Sequence, residues 1–127
     1  DMKKDNARCL FWEAVTDWFA HDLSGPYAKD GAETKALNLS GYIEKWLIKA
    51  LYKSMPDQKK FVTALKKAYT EGREDRLAHC FEEQLGPEKG WKFYDELLDV
   101  LKVKRTQENW DELDDRWMAI VAKYTRK

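Results

Sequence analysis

The clearest hydrophobic pattern in the chain lies in residues 107–124. Apolar and aromatic residues recur there at steps of three and four, which places them on one side of a helix with about 3.6 residues per turn. These residues are Trp110, Leu113, Trp117, Ile120, Val121 and Tyr124. The acidic residues on the other sides are Asp111, Glu112 and Asp115, with Asp114 near the edge. The pattern predicts an amphipathic helix that closes a helical core and buries Trp117.

A similar pattern opens the chain, and a weakly patterned stretch follows it. The first predicted helix runs from about residue 5 to residue 22, and Asp5 or Asn6 can cap its start. Its inward positions are Leu10, Phe11, Ala14, Val15, Trp18 and Phe19. A Ser-Gly-Pro sequence at residues 24–26 ends it. Residues 24–40 are rich in Gly, Ser, Asp and Asn, which predicts a long loop, and long loops carry function more often than they fill cores.

Two serines mark the starts of the next two predicted helices. Ser40 caps a helix over residues 41–53. The inward positions of that helix are predicted to be Ile43, Trp46, Leu47, Ala50 and Leu51. Ser54 caps a second helix that runs to about residue 71, with Pro56 in its first turn. The inward positions of this second helix are predicted to be Phe61, Val62, Leu65, Ala68 and Tyr69.

Glycines separate the remaining predicted helices. Gly72 breaks the chain before an acidic restart, and Gly86 followed by Pro87 ends the next segment. The inward positions of the helix over residues 74–85 are Leu77, Ala78, Phe81 and Leu85. Those of the helix over residues 88–103 are Trp91, Tyr94, Leu97, Leu98 and Leu101. Thr106 is the predicted cap of the last helix.

These segments predict an all-α protein. We expect a single domain over residues 1–127, built as a bundle of five to six amphipathic helices with one long loop at about residues 24–40. No segment shows the sustained alternation of apolar and polar residues that is typical of strands. Neighbouring helices joined by short turns should pack antiparallel.

The charge composition argues against a global attraction to polyanions. The chain has 23 basic and 23 acidic residues and a formal net charge of zero, so no overall positive field favours nucleic acid or anionic lipid. No apolar run approaches the about 18 residues that a membrane span needs, and we expect a soluble protein. A native start at Met2 would slightly favour an intracellular protein, although a mature secreted domain also lacks a signal sequence.

The two cysteines, Cys9 and Cys80, lie far apart in sequence and within apolar segments. We expect two buried, reduced thiols. A single disulfide that closes a long loop is the alternative in an oxidising compartment. Because no Cys-x-x-Cys spacing is present, the usual signal for a zinc or thioredoxin-like site is missing.

Candidate reactive groups do not converge in the sequence. Asp111 and Asp115 are one helical turn apart, but they share the wet side of the last helix, so a solvated acidic face is expected. His79 lies one turn after Asp75 and beside Cys80, but adjacent helical residues point about 100° apart, which disfavours a Cys–His–Asp set. Nucleotide-binding, zinc-protease and serine-hydrolase motifs are absent, so we expect no enzyme activity, no cofactor and no metal.

The remaining aromatic residues favour a non-enzymatic protein–protein interaction module, such as an adaptor, an inhibitor or an effector. Trp12 lies toward the edge of the apolar face of the first helix, and Tyr27 and Tyr42 follow in the loop and at the start of the next helix. We predict that these three residues anchor a protein partner, because aromatic side chains dominate the binding energy of interfaces. A rim position packed against the core is an equally good interpretation of Trp12.

Four lysines suggest an alternative function, nucleic-acid binding. Lys59, Lys60, Lys66 and Lys67 share one broad helical face of residues 57–72, from which they could contact phosphates. The simpler interpretation is a solvated helix face that acidic residues balance elsewhere. Because the net charge is zero and no helix-turn-helix or RNA-binding signature is present, nucleic acid remains the second choice of partner.

Overall fold

The computed structural model describes residues 2–19, 45–73 and 75–126 of the chain. Within these residues it contains six α-helices and no strand, which confirms the predicted all-α class. The helices are α1 (Met2–Trp18), α2 (Lys45–Lys53), α3 (Gln58–Glu71), α4 (Arg76–Leu85), α5 (Pro87–Lys102) and α6 (Trp110–Thr125). The predicted loop at residues 24–40 lies outside the described residues.

Helix α5 lies at the centre of this arrangement, where it packs against α4, α1 and α6. Its buried residues are Gly90, Phe93, Tyr94, Leu97, Leu98, Val100 and Leu101. The ring of Phe11 in α1 packs beside this helix, with its centroid 5.8 Å from Tyr94 and 5.4 Å from Trp117 of α6. Phe81 of α4 adds a third ring at 5.9 Å from Phe11. Buried side chains of all six helices form one hydrophobic cluster.

The contact between α4 and α5 depends on Gly90. A Cβ atom placed on Gly90 would lie 2.6 Å from the Cα atom of Glu82 and 2.7 Å from the carbonyl oxygen of Phe81. Both of these atoms belong to the backbone of α4, so they cannot turn aside as a flexible side chain would. The missing side chain of Gly90 therefore sets the distance between α4 and α5.

The turn between α2 and α3 differs from the prediction. The Ser54 hydroxyl donates back to Ala50 O at 2.9 Å, and Asp57 caps α3 by accepting from Lys60 N–H at 3.0 Å. The sequence predicts a helix start at residues 54–56. These residues instead form a turn that buries the Met55 side chain in the core. A serine two residues before a proline fits either a cap or a turn, and the packing of Met55 decides between them.

A side chain from α4 ties this turn to the bundle. The Gln84 amide accepts from Asp57 N–H at 2.9 Å and donates to Asp57 O at 3.0 Å. The Asp57 N–H is satisfied by Gln84, while Asp57 O also accepts from Phe61 N–H at 3.0 Å. The start of α3 is therefore positioned directly against α4.

Gly72 and Gly86 end helices as predicted. Gly72 adopts a left-handed conformation with φ 65° and ψ 31°, and the following N–H, of Arg73, donates to Ala68 O at 3.0 Å. Gly86 has φ 98°, and its N–H donates to Glu82 O at 2.9 Å. Residues other than glycine rarely adopt these positive φ values, so glycine fits both helix ends.

Three aromatic residues predicted to face inward are instead substantially exposed. The exposed fractions are 49% for Trp46, 47% for Tyr69 and 40% for Trp91. In α2 the buried face comprises Leu47, Ile48 and Leu51, so the core-facing side is rotated away from Trp46. Because Leu47 and Leu51 fit both faces at helical spacing, the sequence pattern alone did not exclude the wrong one.

The starts of α1 and α6 also differ from the prediction. Helix α1 begins upstream of Asp5 and Asn6, so neither residue caps it. Helix α6 begins at Trp110, after a turn in which Thr106 and Asn109 exchange hydrogen bonds. Thr106 N–H donates to Asn109 Oδ1 at 2.7 Å, and Asn109 N–H donates to Thr106 Oγ1 at 3.3 Å. Thr106 therefore stabilises the entry to α6 one turn before the helix starts, in the reciprocal manner of a capping box.

Asp114, predicted at the edge of the apolar face of the last helix, is buried there. Its carboxylate pairs with the Arg105 guanidinium, whose side chain is also buried. The same guanidinium lies 4.4 Å above the centroid of the Trp110 ring. These contacts attach the α5–α6 connection to α6, because separating a buried ion pair would leave a buried charge without its partner.

Gly90→Ala should lower the free energy of unfolding by about 1–3 kcal/mol, the usual cost of forcing an extra methyl group into a packed contact. The added methyl group meets backbone atoms of α4, so α4 and α5 must separate. Urea denaturation measures the change. Lys89→Ala, at the exposed neighbouring position, is the control and should stay within about 0.5 kcal/mol of wild type. Equal midpoints for both variants would contradict this account of the contact.

Trp117→Ala should cost about 3–5 kcal/mol, as is usual for truncating a buried aromatic side chain. Trp117 is fully buried, and its indole Nε1–H points to Leu47 O at 3.4 Å, so the variant loses contacts with α1 and α2 together. Asp115→Ala, on the exposed side of the same helix, should change stability by about 0.5 kcal/mol or less. Thermal unfolding followed by circular dichroism compares them, and similar melting temperatures would show that this face does not pack a core.

Candidate functional site

The predicted anchor Trp12 is half-buried on α1. It packs against the hydrophobic core, and its carbonyl oxygen accepts a hydrogen bond from Thr16 Oγ1 at 2.9 Å. Core contacts therefore hold Trp12 in place, while part of the residue remains accessible to a partner. The other two predicted anchors, Tyr27 and Tyr42, lie outside the described residues.

A shallow pocket opens where α1, α4 and α5 meet. Its volume is about 240 Å³, and its lining residues are Arg8, Asp75, Ala78, Trp91 and Tyr94. Arg8 lies one helical turn before Trp12 and on the same side of α1. The exposed indole of Trp91 forms one wall of the pocket, and its Nε1–H donates to the Glu82 carboxylate. That hydrogen bond fixes the orientation of the wall.

Aromatic residues continue along the same side of α1 beyond the pocket. Phe19 lies two turns after Trp12, and its ring centroid is 5.9 Å from that of Tyr69 in α3. We call this surface the aromatic flank, and its members are Arg8, Trp12, Phe19, Tyr69 and Trp91. All five are exposed or half-buried, and they come from three helices.

Of the aromatic flank, the sequence pattern predicted only Trp12 as a binding residue. Tyr69 and Trp91 were assigned to the core because their spacing from apolar neighbours is helical. Trp91 lies about 100° around the helix axis from Gly90, the residue that touches α4. Gly90 was therefore a sequence signal that Trp91 lies off the packed side, since a glycine within a helix often marks the side of closest packing. Only the packed bundle shows which neighbouring helix lies on that side.

Charged groups near the pocket are partly neutralised by each other. Arg73 donates to both carboxylate oxygens of Asp75, from Nε at 3.2 Å and from a terminal nitrogen at 2.7 Å. The hydrogen bond from Arg73 lowers the pKa of the Asp75 carboxyl below its ordinary value. Arg8 contacts Asp5 at 3.4 Å on the exposed side of α1. The rim therefore presents both signs of charge around an apolar floor.

The four predicted lysines are all exposed but do not act as one cluster. Lys60 and Lys67 line a groove between α3 and α4, whereas Lys59 and Lys66 point about 100° around the helix axis from them. Within residues 2–19, 45–73 and 75–126, none of the four has a carboxylate oxygen within 4.0 Å. Their charges are therefore balanced only at longer range.

The groove between α3 and α4 gathers further basic residues that the sequence analysis did not connect with the lysines. Arg76 and His79 of α4 line it together with Lys60, Lys67 and one acidic residue, Glu83. Arg76 Nε lies 3.9 Å from the Glu71 carboxylate, at the outer limit of an ion pair. Sequence spacing gave no hint of this set, because it depends on how two separate helices are rotated against each other.

The candidate catalytic set does not assemble. Asp75 pairs with Arg73, and His79 Nδ1 instead faces the Glu82 carboxylate at 3.8 Å. Cys80 is buried beneath the groove, where burial raises the pKa of its thiol to about 12. In the described part of the chain, no group of three or more His, Cys, Asp or Glu residues is placed to hold a metal ion.

Comparison of the chain with protein-family models, with curated proteins and with solved structures finds no match. Among the described helices, none is long and apolar enough to cross a membrane. The function must therefore be inferred from the surface that the helices themselves present.

Neither cysteine forms a disulfide, and only Cys80 has the predicted buried position, because Cys9 lies exposed on α1. At pH 8 an aromatic disulfide reagent should therefore modify Cys9 in the native protein as fast as it modifies a small thiol in solution. The same reagent should modify Cys80 far more slowly. The measurement is the absorbance of released thiolate with and without denaturant. Cys9→Ser should abolish the fast phase, and a fast phase that persists in this variant would contradict the burial of Cys80.

Proposed function

We propose that the protein is a non-enzymatic protein–protein interaction module, such as an adaptor, an inhibitor or an effector, that binds another protein through Trp12 and the aromatic flank. The observation that carries this proposal is a shallow pocket lined by Arg8 and the exposed Trp91, next to the side of α1 that carries the half-buried Trp12. Interfaces are enriched in aromatic residues and arginine, and these residues supply most of the hot spots.

The size of the pocket supports a protein partner rather than an organic ligand. Its volume of about 240 Å³ is below the usual range of about 300–1,000 Å³ for ligand pockets. A space of this size accommodates one apolar side chain of a partner. Charged residues at its rim, Arg8 and Asp75, can then pair with polar groups around that side chain.

The rigidity of the surface favours binding as well. Trp12 packs against the core, and the Trp91 indole is hydrogen-bonded to Glu82, so neither side chain has to be ordered when a partner arrives. Preorganised side chains lose less conformational entropy on binding, which leaves more of the contact energy as affinity. Tyr27 and Tyr42 remain predicted anchors that would extend this surface.

Nucleic-acid binding through Lys59, Lys60, Lys66 and Lys67 is the second candidate function. It is supported by the exposure of all four side chains and by the lack of a carboxylate near any of them in the described residues. Binding of this kind weakens steeply with salt, because each phosphate contact releases a counterion. The zero net charge of the chain makes it the weaker candidate.

Trp12→Ala should weaken binding of a partner captured from the native source by at least about 1–2 kcal/mol, as expected for loss of an interface hot spot. Leu10→Ala is the matched control, because Leu10 is also half-buried on α1 but lies on the opposite flank. Both variants should lose some stability, and only Trp12→Ala should lose affinity. Titration calorimetry at a temperature where both variants are folded gives the comparison.

Changing the four lysines together to glutamine distinguishes the two candidate functions. If the partner is a protein on the aromatic flank, this variant should alter the association rate and its salt dependence more than the affinity. Complete loss of binding in the lysine variant, with Trp12→Ala unaffected, would favour nucleic acid and contradict the proposed function.

A further inference from the structure

The groove between α3 and α4 has a charge that the aromatic flank does not explain. Lys60 and Lys67 from α3 and Arg76 from α4 contribute three positive charges, and Glu83 contributes one negative charge. These four residues together carry a formal net charge of two positive in a protein whose formal net charge is zero. A concentrated local charge of this kind attracts an anion without a global field.

Of the three cations, only Arg76 has a carboxylate within ion-pair distance in the described residues. Lys60 and Lys67 have no carboxylate oxygen within 4.0 Å, and Arg76 reaches Glu71 only at 3.9 Å. Thr63, which also lines the groove, donates its hydroxyl to Lys59 O at 3.0 Å and so is already engaged. The lysine ammonium groups and the Arg76 guanidinium are therefore the donors that a bound anion would meet.

The geometry of the helices adds to this positive potential. Helix α4 begins at Arg76, so the positive end of its dipole lies at the same end of the groove as the guanidinium. Helices α3 and α4 are joined by a short turn at Gly72 and pack against each other, which brings Lys67 near the start of α4. Cations from both helices thus face one shared space.

The size and charge of this space select the anion. Its volume is about 270 Å³, which accommodates one phosphate-sized group but not a length of polyanion. A phosphomonoester carries about −1.5 to −2 charges at pH 7 and three acceptor oxygens, which matches the charge of the groove and its three permanent cations. Arginine binds such oxygens as a fork and lysine as a point charge.

We propose that the groove between α3 and α4 is a binding site for a single phosphomonoester group. The ligand would carry this group either as a small molecule or on a phosphorylated side chain. Lys60, Lys67 and Arg76 contact its oxygens, while Lys59 and Lys66 do not, because they point away from the groove. This inference is independent of the aromatic flank, since the phosphate site is built by α3 and α4 alone.

The test is titration of the whole protein with acetyl-phosphoserine-amide, followed by amide NMR shifts. Shifts should concentrate in residues 60–67 and 76–83. Lys60→Gln with Lys67→Gln should weaken binding at least about tenfold, as expected for lost charge-assisted hydrogen bonds. Lys59→Gln with Lys66→Gln is the matched control, with the same charge change on the same helix, and should leave the affinity within about twofold.

Several outcomes would overturn the proposal. Equal loss in both lysine pairs would indicate general charge attraction rather than a site. Equal binding of acetyl-serine-amide would show that the phosphate is not recognised, and tighter binding of a single-stranded oligonucleotide without terminal phosphate would assign the lysines to nucleic acid.

A phosphoserine peptide that binds much more tightly than the capped amino acid would identify a phosphorylated protein as the source of the group, and equal affinities would identify a small molecule. The capped amino acid offers no protein surface, so its binding does not depend on the aromatic flank. The result of this titration therefore stands whether or not Trp12→Ala loses binding of its partner.

Discussion

The contact between α4 and α5 at Gly90 is the constraint on which the rest of the structure depends. Backbone atoms of Phe81 and Glu82 lie so near Gly90 that the two helices approach more closely than a side chain at this position would permit. This approach brings Phe81 against Phe93 and Tyr94. The other helices pack around the resulting pair, and Phe11 of α1 and Trp117 of α6 complete the aromatic core.

The same packing divides the surface of α4 into two sides with different chemistry. On the side toward α1 and α5, Ala78 and Trp91 help to form the apolar pocket of the aromatic flank. On the side toward α3, Arg76 and Glu83 line the basic groove. Between them lies His79, whose ring meets that of Trp91 edge-on at 5.8 Å. The two proposed binding surfaces can thus share one short helix without sharing their chemistry.

Much of the fold was predictable because it depends on local physics. Helical spacing identified the segments, and Gly72 and Gly86 marked helix ends because each needs a positive φ. The burial of Trp117 followed from its central place among apolar neighbours. The failures were of rotation and of cap position: Trp46, Tyr69 and Trp91 fit an apolar face at helical spacing but lie outside it, and Ser54 bonds backward instead of capping α3.

The candidate sites divide in the same way. The sequence by itself identified Trp12 as an edge residue and the lysines as an exposed helix face, because both statements follow from the period of one helix. Only the tertiary structure placed Arg8 and Trp91 around one pocket, and Arg76 beside Lys60 and Lys67, because these groups come from helices whose relative rotation is set by core packing. The sequence determined which segments are helical and where two of them end, and the packing of the core decided which of their side chains meet.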